Sequence, residues 1–163
     1  MCCPFTKVSG LAVKSATALN PSPYINLLYE YASPKKPIAV SSEVGFDLTV
    51  SADLNRIRQA VANLVDNAIK YTPIGGRIRI AISKRDNQSV LSVEDTGIGI
   101  AIEEQAHVWD RLYRSDRSRS ERGLGLGLSL VHAIMQAHHG RAELNSSLGG
   151  GSVFRLCFPD ANH

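Results

Sequence analysis

The chain is poor in cysteine. It has three, at Cys2, Cys3 and Cys157. An odd number, with two adjacent, makes no disulfide framework and no metal-ligand spacing, and it fits a reducing compartment. Cys157, inside VFRLCF, reads as a core residue of a strand. Long apolar runs are missing as well, since none approaches the roughly 20 residues needed to cross a bilayer. The opening MCCPFTKVSG lacks the charged-then-apolar layout of a secretory signal. Charge of one sign is not in excess. Eighteen Lys and Arg against fifteen Asp and Glu leave +3, too mild to imply a nucleic-acid partner. The five histidines, His107, His132, His138, His139 and His163, show neither metal spacing with carboxylates nor a hydrolase-type nucleophile–base arrangement. His132 and His139 read as surface or capping residues of the last helix, and His163 is terminal. There is no internal repeat.

What is present is enough chain, 163 residues, for one domain with a full-sized core. Residues 1–22 are low in pattern and end in a turn at Asn20-Pro21-Ser22-Pro23, so they read as a poorly structured edge or linker. A short helix is expected over Tyr24–Tyr31. Short strands follow at Pro37–Ser42 and Asp47–Ser51, joined by a turn at Glu43-Val44-Gly45. Ile78, Ile80 and Ile82 alternate with polar residues, Asp86-Asn87 turns the chain, and Val90–Glu94 is the return strand. A short helix at about Glu103–Trp109 leads into an Arg- and Ser-rich stretch, Arg111–Arg122. A helix over Leu128–His138 stops at His139-Gly140. Strands at Ala142–Ser146 and Ser152–Phe158 flank a glycine turn at Gly149–Gly151.

The chain is organised around Asp53–Tyr71. At about 100° per residue, Leu54, Ile57, Val61, Leu64, Val65 and Ala68 share one broad side. Asn63, Asn67 and Lys70 share the opposite side. Ser51 or Asp53 is the N-cap, and Pro73 ends the helix. Asn is a poor helix former, so two on one face ask for a reason. Strands, long helix, hairpin, loop, helix and hairpin together predict an α/β two-layer sandwich. Its mixed, mainly antiparallel sheet is covered on one face by about three helices.

Two glycine motifs carry chemistry. Asp95-Thr96-Gly97-Ile98-Gly99 follows a strand. A carboxylate there accepts from an exocyclic amine, and the glycines let a flat ring approach the backbone. The same D-T-G is also an ordinary turn. The D-T-G of aspartic proteases is a poor match, because no second such carboxylate and no all-β scaffold is visible. Gly123-x-Gly125-x-Gly127 opens a helix, where free N–H groups and the dipole favour phosphate. The other reading is a flexible hinge. It is not a Walker loop, since no Lys-Ser or Lys-Thr follows, and its spacing is not the dinucleotide fingerprint. Between the motifs lie Arg111, Arg114, Arg117, Arg119 and Arg122, a polar insertion that reads as a lid. Arg117 and Arg119 read as solvated, and Arg114, beside Tyr113, as a phosphate contact.

Four blocks in order, NLVDNAIKYTP, DTGIGI, GLGLGLSLVHAIMQAHHG and GGGSVFRLCFP, resemble the catalytic, ATP-binding domain of sensor histidine kinases. That domain shares its superfamily with DNA gyrase, HSP90 and MutL. The resemblance covers about residues 38–160. It implies the Bergerat-type sandwich, with ATP and Mg²⁺ between the long helix, the D-T-G-x-G turn and the lid. The implied ATP-binding unit is 23–160, with the lid at about 101–123.

By this resemblance Asn63 and Asn67 are similar to the N-box amides that hold Mg²⁺ and phosphate, with Asn67 the main metal ligand. Lys70 resembles the lysine that reaches the phosphates, and Tyr71 the aromatic beside the nucleotide. Asp95 resembles the carboxylate that reads the adenine amine. Gly97, Gly99 and Ile100 belong to the first glycine box. Gly123, Leu124, Gly125, Leu126 and Gly127 belong to the second, and Arg114 is similar to the lid arginine near the γ-phosphate. The implied catalytic set is Asn63, Lys70 and Arg114. ATP-hydrolysing members carry a Glu at the position of Asn63, and an amide is no general base, so transfer to a positioned acceptor is favoured over hydrolysis. HVWDRLYRSD departs from the family with Trp109 and Leu112 where phenylalanines stand.

No histidine precedes His107, so the acceptor is expected on a separate dimerisation domain, with a response regulator downstream. No contact with nucleic acid or membrane is expected of this domain, and a cytoplasmic place is expected, also where the parent is an inner-membrane sensor. The alternative is a stand-alone nucleotide-binding switch, similar to serine kinases that restrain sigma factors. An ATP-hydrolysing module of the gyrase or MutL type is disfavoured by Asn63.

Overall fold

A computed structural model describes residues 16–19, 37–44, 48–86, 88–113 and 125–159. Strand β1 is Ala16–Leu19, β2 is Ala39–Val44 and β3 is Leu48–Ser51. Helix α1 runs Leu54–Tyr71. Strands β4, Arg77–Arg85, and β5, Gln88–Asp95, follow. Helix α2, Ile102–Gln105, is one turn long. Helix α3 is Gly127–Ala137, and β6, Arg141–Ser147, and β7, Gly151–Pro159, close the order.

Five strands form one sheet in the order β2-β4-β5-β7-β6. The β2–β4 pair is parallel and the other three are antiparallel. Alternation sets the two faces. Ile78, Ile80, Ile82, Leu91, Val93, Phe154, Leu156 and Phe158 are buried with α1 and α3 in one core. Arg79 and Glu43 pair on the other face, which carries the polar residues of the same strands. The architecture is therefore the mixed two-layer sandwich expected from the element order. Among the described residues, no helix is long and apolar enough to cross a membrane.

Helix α1 forms where its sequence predicts. Asp53 caps it, its carboxylate accepting from the Asn55 and Arg56 N–H groups at 2.9 and 3.1 Å. Ile57, Ala60, Val61, Leu64, Val65 and Ala68 are buried on the sheet. Full burial of each large aliphatic is worth about 1.5–3 kcal/mol. The amide row is displaced from its predicted place. Asn63, Asn67 and Lys70 are half-buried along the flank of the apolar stripe, while Asn55, Gln59 and Asp66 hold the exposed side. The row is thereby turned toward α3, where Asn63 Oδ1 would lie 3.3 Å from a Cβ on Gly127.

Three other expectations change. β1 pairs antiparallel with β3 in a separate two-stranded sheet, although residues 16–19 show no strand pattern. β2 and β3 do not pair with each other, and β2 runs to Val44, through two residues of the expected turn. The helix expected over Glu103–Trp109 is only Ile102–Gln105, with turns after it. The helix expected over Tyr24–Tyr31 lies outside the described residues.

Candidate functional site

Asp95 ends β5, opposite Ser152 of β7. Its side chain is buried, at 7 % exposure. The Gly97 N–H donates to Oδ1 at 2.7 Å. Burial pushes the Asp95 carboxyl above the usual aspartate range; the N–H groups of Gly97 and Ser152 pull it back, and the Glu94 charge adds a small upward push. Such a group is a poorly solvated acceptor, ready for a donor that a ligand would bring.

The turn after Asp95 is held from several sides. Thr96 N–H bonds the Arg77 carbonyl at 3.0 Å, and Thr96 Oγ1 accepts from Arg77 N–H at 2.8 Å. Ile98 N–H bonds the Tyr71 carbonyl at the end of α1, 3.2 Å away. Gly149 N–H donates to the Ile98 carbonyl at 2.7 Å. Ile100 N–H donates to Ser146 Oγ at 2.9 Å. A Cβ on Gly97 would stand 2.5 Å from Asp95 Oδ1 and 2.7 Å from the Tyr71 carbonyl oxygen. Gly99 has φ +68°, and a Cβ there would stand 1.8 Å from the Ser147 carbonyl oxygen. Only glycine fits either place.

The second motif meets α1. A Cβ on Gly127, the first residue of α3, would come within 3.3 Å of Asn63 Oδ1. Asn63 Nδ2 donates to the Gln59 carbonyl at 3.0 Å, which turns Oδ1 toward α3. Leu126 precedes α3 and supplies no side-chain cap, and among the described residues the first N–H groups of the helix have no partner. Gly125 has φ +69°, and its carbonyl accepts from Leu112 N–H at 3.1 Å. Lys70 Nζ lies 5.0 Å from the Tyr71 ring centroid. Asn63, Asn67, Lys70, Tyr71, Asp95, Gly97, Gly99, Ile100, Gly125, Leu126 and Gly127 all fall on α1, the β5 turn or the start of α3. Gly123, Leu124 and Arg114 lie outside the described residues.

The departures in the lid segment have a structural outcome. Trp109 packs edge-on to Phe154 of β7, with centroids 6.0 Å apart, and stacks obliquely on His132 of α3 at 5.8 Å. Leu112 instead is exposed, with φ +63°. His139 caps α3 at φ +55°.

The sequence reading missed four groups around this site. His138 is buried; its Nε2 accepts from Asp53 N–H at 3.0 Å and its Nδ1 donates to the Ile134 carbonyl at 2.7 Å. That neutral tautomer ties the end of α3 to the start of α1. Ser146 and Ser152, with hydroxyls 3.0 Å apart, back the turn. Gln105 bonds the Ile100 and Ser146 carbonyls. Thr72 Oγ1, just beyond Tyr71, is buried with no hydrogen-bond partner among the described residues. The GGGSVF block was the available signal for Ser152; nothing in pattern or spacing marks His138, Ser146, Gln105 or Thr72.

The donor set fits a nucleotide and Mg²⁺. Among the described residues no cluster of three His, Cys, Asp or Glu side chains is placed to hold a metal. Amide oxygens of Asn63 and Asn67 are hard donors of the kind Mg²⁺ takes when phosphates and water complete its shell. Gly97 and Gly99 let the backbone of Tyr71 and Ser147 close in around Asp95.

Residues 52–162 match the family model described as histidine kinase-, DNA gyrase B- and HSP90-like ATPase. The adaptive-response sensory kinase SasA of Synechococcus elongatus is 42 % identical over 133 residues, 81 % of this chain and 34 % of its own length. The sensor histidine kinase RppB of Synechocystis is 41 % identical over 107 residues, 64 % of this chain and 24 % of its own. The chain thus spans about a third or less of these relatives. The nucleotide-free catalytic domain of histidine kinase ThkA superposes with a TM-score of 0.73 at 28 % identity, covering 90 % of this chain and 99 % of that one. Full-length ShkA in complex with AMPPNP gives 0.74 at 29 %, covering 91 % of this chain and 32 % of that one.

Proposed function

We propose, on the premise that this chain belongs to the family of histidine kinase-, DNA gyrase B- and HSP90-like ATPases, that it binds Mg-ATP and passes the γ-phosphoryl group to a histidine on a separate dimerisation domain. The chain is a histidine kinase ATPase domain, as its similarity to named sensor kinases also indicates. The ATP-binding unit is taken to cover residues 23–160, with the lid at about 101–123. A response regulator would receive the phosphoryl group from the acceptor histidine.

One observation carries the reading: a buried carboxylate, Asp95, closes a glycine cradle at the end of the helix that bears Asn63, Asn67 and Lys70. Asp95 would accept the adenine amine. Lys70 and the free N–H groups at the start of α3 would meet phosphate oxygens, with Arg114 from the lid. Asn67 and Asn63 would hold Mg²⁺, which neutralises phosphate charge. Asn63 has no basic site, and its Nδ2 is engaged by Gln59, so it does not deprotonate water. Catalysis then rests on placement and charge, and the acceptor imidazole supplies the nucleophile.

The test is calorimetric titration of ATP with and without Mg²⁺, then label transfer from γ-labelled ATP to the parent's acceptor domain. Micromolar to millimolar binding, Mg²⁺-dependent transfer and little steady-state hydrolysis are expected. In Asn67→Ala the Mg²⁺ dependence disappears. Fast turnover without any acceptor would sink the kinase reading.

A further inference from the structure

The turn that holds Asp95 is fastened to the β6–β7 hairpin, and one side chain outside both motifs completes the fastening. Gln105, the last residue of α2, is half-buried. Its Nε2 donates one hydrogen to the Ile100 carbonyl at 3.0 Å and one to the Ser146 carbonyl at 2.8 Å. Both donors of a carboxamide are thereby used, which fixes its plane. Ile100 is engaged at both backbone groups: its N–H meets Ser146 Oγ at 2.9 Å and its carbonyl meets Gln105. Ser146 Oγ in turn donates to the Gly151 carbonyl at 2.7 Å. Gly151 is the residue before Ser152, the strand partner of Asp95. A continuous polar chain therefore runs from α2 through Ile100 and Ser146 to the pair that contains Asp95.

We propose that Gln105 is a positioning residue of the nucleotide site. It does not touch the base; through Ile100 and Ser146 it holds the Asp95–Ile100 turn against the β6–β7 hairpin, at the spacing an adenine requires. This rests on the reading of Asp95 as the adenine acceptor. A surface glutamine with free rotamers contributes no such order, whereas one donating to two carbonyls on different elements fixes their separation.

The experiment titrates the full chain and two variants, Gln105→Met and Gln105→Glu, with ATP and with GTP, which lacks the amine that Asp95 would accept. Met keeps the length and loses both donors; Glu keeps the shape and sets a carboxylate against two carbonyls. Each variant should bind ATP about tenfold more weakly, with GTP binding unchanged, so the preference for adenine narrows. The thermal midpoint is read alongside. A purely structural role would lower that midpoint and leave the ATP-to-GTP ratio of the folded fraction at the parent value, which overturns the proposal. Unchanged ATP affinity in Gln105→Met overturns it too. If the parent chain binds no nucleotide, the site reading itself fails, a result distinct from either.

Discussion

The turn from Asp95 to Ile100 and the start of α3, the two ends of the proposed nucleotide site, are built in opposite ways. The turn from Asp95 to Ile100 is fastened from several sides. Thr96, Ile98 and Ile100 give or take hydrogen bonds with Arg77, Tyr71, Gly149, Ser146 and Gln105. Among the described residues the start of α3 is uncapped. Leu126 supplies no side-chain cap, and Asn63 Oδ1 faces the first residue of the helix. A base is a rigid plate read by one carboxylate, so its seat profits from being set in advance. Phosphates are charged and flexible, and free N–H groups waiting for them contribute binding that prior satisfaction would cancel. In the proposed site, rigidity would thus serve the base and open N–H groups the phosphates.

The comparison can be broken most severely at Gly99. In Gly99→Ala a left-handed backbone and a Cβ 1.8 Å from the Ser147 carbonyl oxygen combine. The chain should lose about 3 kcal/mol of stability, read by urea denaturation. Asp95→Asn acts on the same half without harming it. Loss of a charged hydrogen bond should weaken ATP binding by about 1.5–3 kcal/mol, roughly 10- to 100-fold. Its effect on stability has the other sign. Asp95 has a raised carboxyl pKa, so its contribution is present below the unfolded pKa and lost as pH rises through the folded one. At neutral pH the ionised form weakens the fold, and the amide should denature no earlier than the parent. Undiminished ATP affinity in this variant would count against the pocket.

The same shift predicts a pH profile. ATP affinity should fall as acid protonates Asp95, and the fall should begin above the value of about 3.9 for an ordinary aspartate. Calorimetry across pH 4–7, referenced to Asp95→Asn, checks it. On the open half, Gly127→Ala gains helix propensity and crowds Asn63 Oδ1. Stability should stay within about 1 kcal/mol of the parent, while ATP affinity drops about fivefold. A large loss of stability there would erase the contrast with Gly99. The smallest effect belongs to the closed end of the same helix. His139→Gly relieves a positive φ at an exposed cap and should stabilise by about 1 kcal/mol or less, with nucleotide binding unchanged.

Much of this was legible in the chain itself. The buried stripe of α1 follows from period alone, and Asp53 and Pro73 mark its ends. Ile78, Ile80 and Ile82 alternate as the core requires. The glycine motifs announce their turns because only glycine fits where a Cβ would strike a carbonyl. What was not legible depends on partners far away in sequence. β1 is a strand because β3 lies beside it, and no local pattern says so. His138 looks like any helix-end histidine until Asp53, 85 residues earlier, is seen to donate to it. Gln105 reads as a surface residue until Ser146 arrives 41 residues later. Helical angle puts the amide row opposite the apolar stripe but does not reveal that α3 covers part of that side.

The strand order has a temporal consequence. β5 and β7 are neighbours in the sheet, although α2, α3 and β6 come between them along the chain. Asp95 acquires Ser152 as its partner only when that last strand docks. During synthesis the proposed adenine seat therefore cannot be complete until β7 has docked, and a nascent chain lacking β7 would offer ATP only loose pieces of that site. Such long-range closure is intrinsically slow. Nucleotide would then act as a late selector, stabilising complete chains and leaving truncated ones to proteolysis.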